Sequence, residues 1–303
     1  MPQFIDTEKK ICELFTQGTV FDYNGVRYTV SSSAAKPTTK KGECKTDVYI
    51  PTTFDGGKKT FKISVKQTNA DFLENKITYE RAKEILGPDV DQILIKAIEG
   101  LKEKFNQVNL VYFDTGDHTE AKSIKLGWKF ELVNVLSGNL SGRIDLTKEQ
   151  KIDVYSGSNL PEEKKDATIG NLTVKNSGVA DYIMVVDPYV QLTVDYCAQQ
   201  MQTIVDYVNG KDIYFACKAL NYRATVNKWD GNRSLAVYVD WNIIDGKLQG
   251  NLIYDRPLQK GGDELGEKLK SLLRTLKINA SNFSSLKGLL ADGVSYYVKE
   301  SSR

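Results

Sequence analysis

The spacing of apolar positions divides the chain into an amphipathic start, a run of strands, two helical stretches and a long β-rich remainder. Residues 6–17 are predicted to be a helix: Ile11, Leu14 and Phe15 share one face, Asp6 or Thr7 offers an N-cap and Gly18 a stop. Phe21 to Val30 reads as two β-rich runs around Asn24-Gly25, a strong short-range hairpin signal. After a loop from Ser31 to Lys41, strands are predicted from Cys44 to Ile50 and from Lys59 to Lys66, with Phe54 to Gly57 as a turn. Residues 70–86 carry Phe72, Leu73, Ile77, Ala82, Ile85 and Leu86 at helical spacing. A second helix follows Pro88, and Val108 to Phe113 is a short strand of buried type.

Beyond residue 120 strands dominate, among them Lys129 to Leu136, Tyr182 to Val186, Ile213 to Ala219, Leu235 to Trp241 and Leu248 to Tyr254. Helices are predicted at 195–209 and 263–277. The change of texture puts a domain break near 115–125, giving residues 1–120 and 121–303. The expected class is α/β: a mixed sheet flanked by helices, followed by a β-rich α+β region.

Composition narrows the chemistry. The chain has 303 residues, 41% hydrophobic and 26% charged, which suits one large or two modest folded domains rather than disorder. No apolar run approaches the roughly 18–20 residues of a membrane span, and Met1 to Lys10 lacks a signal-peptide core, so a cytoplasmic protein with no membrane partner is expected. Forty-one basic against 39 acidic side chains leave a net charge of +2, so any cationic surface must be local. Four cysteines without a CxxC pair read as reduced thiols. The single histidine, His118, sits in a polar loop and removes every two-histidine metal site, and no glycine-rich phosphate loop is present. Hydrolytic chemistry here would have to come from carboxylates, lysine and a metal.

Such a grouping is available in the two strands after the hairpin. Alternation puts Glu43, Lys45, Asp47 and Tyr49 on one face of the first strand, and Lys62, Ser64 and Lys66 on one face of the second. Paired antiparallel through the Gly56-Gly57 turn, the strands would bring Asp47 to Ser64 and Lys66. A carboxylate can hold Mg2+, the metal can polarise a phosphoryl oxygen and activate water, and an ammonium can steady the developing charge.

At Asp47 and Ser64-Val65-Lys66 the sequence resembles the PD-(D/E)xK nuclease superfamily, above all type II restriction endonucleases. Their core is a helix, a three-stranded meander, a helix and a further strand, the order predicted for residues 6–113. Their motif is an acid on one strand and acid-x-Lys on the next. Here Thr46 stands where proline is usual, and Ser64, a neutral and weaker ligand, stands in place of the second acid. The missing acid would then come from elsewhere. At about 100° per residue, Glu8 falls about 60° from Ile11, at the edge of the apolar arc, whereas Glu13 falls about 200° away. The first helix often supplies an acid in this superfamily, which points to Glu8, with Glu43 behind it.

The resemblance implies a Mg2+-dependent DNA endonuclease, with Mn2+ able to substitute, acting on double-stranded DNA as a homodimer. Asp47, Ser64, Lys66, Gln67 and Glu8 would form its catalytic group, with Asp47, Glu8 and Glu43 as metal ligands. Gln67 could orient water or touch a phosphate. Asn69 could cap the following helix or contact DNA. Lys36, Lys40, Lys41 and Lys45 would meet phosphates. Arg143, Arg223, Lys228 and Arg233 are of types that read base edges. Two further readings stay open: a DNA-binding protein on a degenerate nuclease core, for which Ser64 speaks, and a phage or mobile-element repair or resolvase nuclease.

Overall fold

The computed structural model describes residues 4–40, 42–75 and 77–299. The chain is of mixed α/β class and divides into two compact units, each assembled from two separated segments. The first joins residues 1–71 to 146–211, and the second joins 72–145 to 212–303. The expected break near residue 120 therefore falls inside the second unit. That break rests on a change of texture along the chain, whereas the units are defined by strands that pair across long sequence separations.

The first unit is built on a helix and a six-stranded sheet. Helix α1 spans Phe4–Leu14. Strands β1 (Val20–Tyr23), β2 (Val26–Val30), β3 (Val48–Phe54) and β4 (Gly57–Gln67) follow as antiparallel neighbours. Asn24 and Gly25 both adopt left-handed backbone, with φ of 49° and 76°, which a tight hairpin matching the sheet's twist requires. β4 then pairs in parallel with Tyr182–Val186, which pairs antiparallel with Met201–Thr203.

Alternation buries Val48, Ile50, Phe61, Ile63 and Val65 on one face, against Ile11 of α1, Phe15 just after it, and Cys197 and Ala198 of the helix Val194–Gln200. Each large apolar side chain buried this way contributes about 1.5–3 kcal/mol. Lys59 closes one end of this core. Its ammonium lies 4.9 Å from the centroid of Phe61, 5.4 Å from Tyr182, 5.5 Å from Tyr28 and 5.7 Å from Tyr23, a four-ring cation–π arrangement.

The second unit centres on the long antiparallel pair Ser123–Val133 and Ile213–Arg223 in an eight-stranded sheet. The helix Gly262–Thr275 packs on the strand Val237–Ile244 of that sheet.

Several predicted elements change partner. The helix expected over 70–86 begins as a strand, Phe72–Glu74, because those residues pair with Ser123–Val133; the helix starts only at Tyr79, capped by Thr78 rather than Asn69. The expected strand 108–113 shortens to Val111–Tyr112 and joins the second unit's sheet, so the strand beside β4 is Tyr182–Val186 instead. The helix expected over 195–209 is interrupted by Met201–Thr203, which is drawn into the first sheet.

Candidate functional site

The site forms where the β3–β4 ladder ends. Val48 pairs with Ile63, and the Asp47 amide donates to the Ile63 carbonyl over 2.8 Å. One step earlier the chain turns away: the amides of Lys45 and Thr46 donate to the Gly178 carbonyl over 3.0 and 3.2 Å. The Val65 amide thereby loses a ladder partner, and Oδ2 of Asp47 takes its place, accepting from that amide over 2.7 Å. The same oxygen accepts from the Ser64 hydroxyl over 3.3 Å. Asp47 and Ser64 are thus brought together as the alternation of the two strands predicts.

Lys66, half-buried on β4, exerts the strongest favourable charge on Asp47. Glu8 approaches from α1. Its side chain is only 13% exposed, and it forms an ion pair with Lys36 from the loop between β2 and β3. Burial pushes the Asp47 carboxyl up to about 6; Lys66 opposes this, the Glu8 charge adds to it, and the Val65 amide and Lys36 pull it back. The Glu8 charge thus makes Asp47 harder to ionise, and the ammonium groups of Lys66 and Lys36 work against it. The Glu8 position follows from a buried contact between elements: Nε2 of Gln67 donates to Oγ1 of Thr7 over 2.7 Å, fixing α1 to the end of β4.

Gln67 departs from its expected role here. It is buried, and its amide holds the helix in place rather than facing solvent. Asn69 lies exposed in the turn after β4 and caps no helix. Glu43 is exposed, and its charge reaches Lys36 rather than Asp47's immediate surroundings. Of the proposed lysine cluster, Lys36 enters the site, Lys40 is exposed, Lys45 is half-buried, and Lys41 lies outside the described residues.

Sequence reading missed two groups beside the acids. From sequence Thr7 is only a candidate cap, yet its side chain is buried and accepts from Gln67. Cys12 lies near Glu8, and burial together with that carboxylate pushes its thiol up to about 11, which keeps it protonated at neutral pH. Among the described residues no three His, Cys, Asp or Glu side chains form a ready metal cage. The oxygens that could hold a hard cation are those of Asp47 and Glu8, with the Ser64 hydroxyl as a neutral addition. That set suits Mg2+, which commonly keeps several waters and uses one or two carboxylates.

The four residues proposed to read bases all belong to the second unit, and they do not gather at one place. Arg143 pairs with Asp145 and Asp212 at 3.5 and 3.4 Å, beside Tyr214 at the start of the strand Ile213–Arg223. Arg223 ends that strand, about 30 Å away at the usual rise per residue. It pairs with Asp230 at 2.8 Å and with Glu120 at 3.5 Å. Lys228 and Arg233 share the loop that follows, and Lys228 is exposed.

The second unit holds a buried cation that the sequence reading did not single out. Lys125 is 3% exposed, with its ammonium 4.7 Å from the Tyr112 ring centroid and within 3.5 Å of Thr119 and Asn221 oxygens. Burial lowers it to about 8, against the pull of Asp117. A lysine inside a strand shows no outward sign in sequence of which face it will take.

Comparison of the chain with protein-family models, with curated proteins and with solved structures returns no match. Among the described residues no helix is long and apolar enough to cross a membrane.

Proposed function

We propose that the chain is a Mg2+-dependent endonuclease acting on double-stranded DNA, in the manner of a type II restriction enzyme. The observation that carries this reading is the meeting of Asp47, Glu8 and Lys66 where β3 and β4 diverge, with the Asp47 carboxylate held by the Val65 amide and Ser64 hydroxyl. Bound there, Mg2+ or Mn2+ would polarise a phosphoryl oxygen and make water acidic enough to attack.

This chain's residues do the remaining work. Asp47 and Glu8 supply the anionic oxygens, and Ser64 keeps Asp47 in one orientation. Lys66 places its ammonium where negative charge grows on the phosphoryl group, an effect worth most in a site shielded from water. Thr7 and Gln67 set the depth at which α1 presents Glu8. Lys40 and Lys45 supply charge for flanking phosphates. Arg143, Arg223, Lys228 and Arg233 belong to base recognition, and a homodimer would address both strands.

Ser64 favours one second reading, a DNA-binding protein on an inactive core, because a neutral residue stands where an acid would complete the ligand set. Incubating the purified chain with plasmid and phage DNA in Mg2+, in Mn2+ and in EDTA separates the two. Discrete, metal-dependent fragments support the restriction-type reading, and retarded but uncut DNA supports the binder. DNA neither cut nor retarded overturns both.

A further inference from the structure

We propose that Lys36 occupies the divalent-ion position beside Glu8 and Asp47, and is displaced outward when the ion binds. This rests on the metal site of the nuclease reading and concerns how that site is closed and opened.

Three observations point the same way. The Lys36 ammonium is paired with Glu8, and Asp47 and Glu43 are the next negative charges around it. Its backbone is held: the amide of Ala35 donates to the carbonyl of Tyr49 over 3.1 Å, the reverse bond is 2.9 Å, and the Pro37 ring is buried. The side chain, by contrast, is 47% exposed, so it can swing to solvent without moving the loop. A lysine stem has the rotamers for such a swing.

Charge balance favours the exchange. Without an ion, two carboxylates face two ammonium groups, Lys36 and Lys66, and the site is neutral. A divalent cation added with Lys36 in place would leave a half-buried excess of positive charge. If Lys36 departs, the ion, Lys66, the two acids and one phosphodiester sum to neutrality. The released ammonium then stands at the rim of the site, where it can meet a neighbouring phosphate. Lys36 on this account competes with the metal in the resting protein and serves the substrate afterwards.

The test uses the full chain and Mn2+ alone, without DNA. Mn2+ binding is measured by calorimetry and by the free-ion electron paramagnetic resonance signal for the unaltered protein, Lys36→Ala and Glu8→Gln. Lys36→Ala should bind about fivefold more tightly, the scale of one competing ion pair, and Glu8→Gln more weakly. In parallel, brief acetylation followed by peptide mass spectrometry should show Lys36 becoming several-fold more reactive when Mn2+ is added, with exposed Lys40 unchanged. A merely structural Lys36–Glu8 pair would not respond. Equal Mn2+ affinity in Lys36→Ala, with Lys36 reactivity indifferent to Mn2+, overturns the proposal and leaves the nuclease reading standing. Absence of Mn2+ binding in every protein overturns both.

Discussion

Ser64 lies across from Asp47 and donates its hydroxyl to the aspartate's Oδ2 over 3.3 Å, while the Val65 amide donates to that same oxygen over 2.7 Å. Ser64, a neutral residue, is therefore part of the clamp on Asp47. It is 1% exposed, so an acid there would be buried beside Asp47 and near Glu8.

Ser64→Asp should accordingly destabilise the protein in EDTA by about 2–4 kcal/mol, because it adds an uncompensated buried charge and removes a donor. Mg2+ or Mn2+ should recover much of the loss. Urea denaturation with and without metal checks this; equal stability of the variant and the unaltered protein in EDTA contradicts it.

Asp47 gives stability a pH dependence of defined sign. Its carboxyl is raised from 3.8 to about 6 in the folded protein, so between those values the folded chain holds more proton than the unfolded one. Its contribution to stability falls as pH rises through that window and is level above it. Asp47→Asn, measured in EDTA, should be more stable than the unaltered protein by roughly 2–3 kcal/mol at pH 8, with the gap closing toward pH 4. Urea midpoints at several pH values read this directly, and a gap independent of pH would contradict it.

Lys66→Ala and Asp47→Ala should each lower metal-dependent cleavage by at least about a hundredfold. Circular dichroism and gel retardation should show folding and DNA binding largely retained. Full cleavage by either variant would remove the proposed site.

The Thr7–Gln67 hydrogen bond ties α1 to the sheet. Thr7→Val keeps the shape but leaves the Gln67 amide without that acceptor, at a cost of about 1–3 kcal/mol, whereas Thr7→Ser should be nearly neutral. Thermal unfolding of the two variants separates a polar effect from a packing effect.

Much of the first unit's centre is legible in the chain because it is local. Asn24-Gly25 demands its hairpin, and the Gly56-Gly57 turn sets the β3–β4 register that brings Asp47 to Ser64. Glu8 follows from its angle on the first helix. What escapes is decided between distant segments. Nothing near Phe72 says that it will pair with Val133, and nothing near Tyr182 says that it will pair with Ile63. The helix Lys148–Ser156 also hides, since its buried residues, Asp153 to Ser156, are consecutive and leave no helical period. Lys36 looks like any loop lysine until the fold places Glu8 against it.

The parallel pairing of β4 with Tyr182–Val186 has a consequence for synthesis. A nascent chain emerging from the ribosome exposes Lys66 on a bare strand edge until residue 186 is released, and such edges recruit other strands. Vectorial production therefore leaves the proposed catalytic strand unprotected until its partner strand has been made, and a fragment ending before Tyr182 would carry that sticky border permanently.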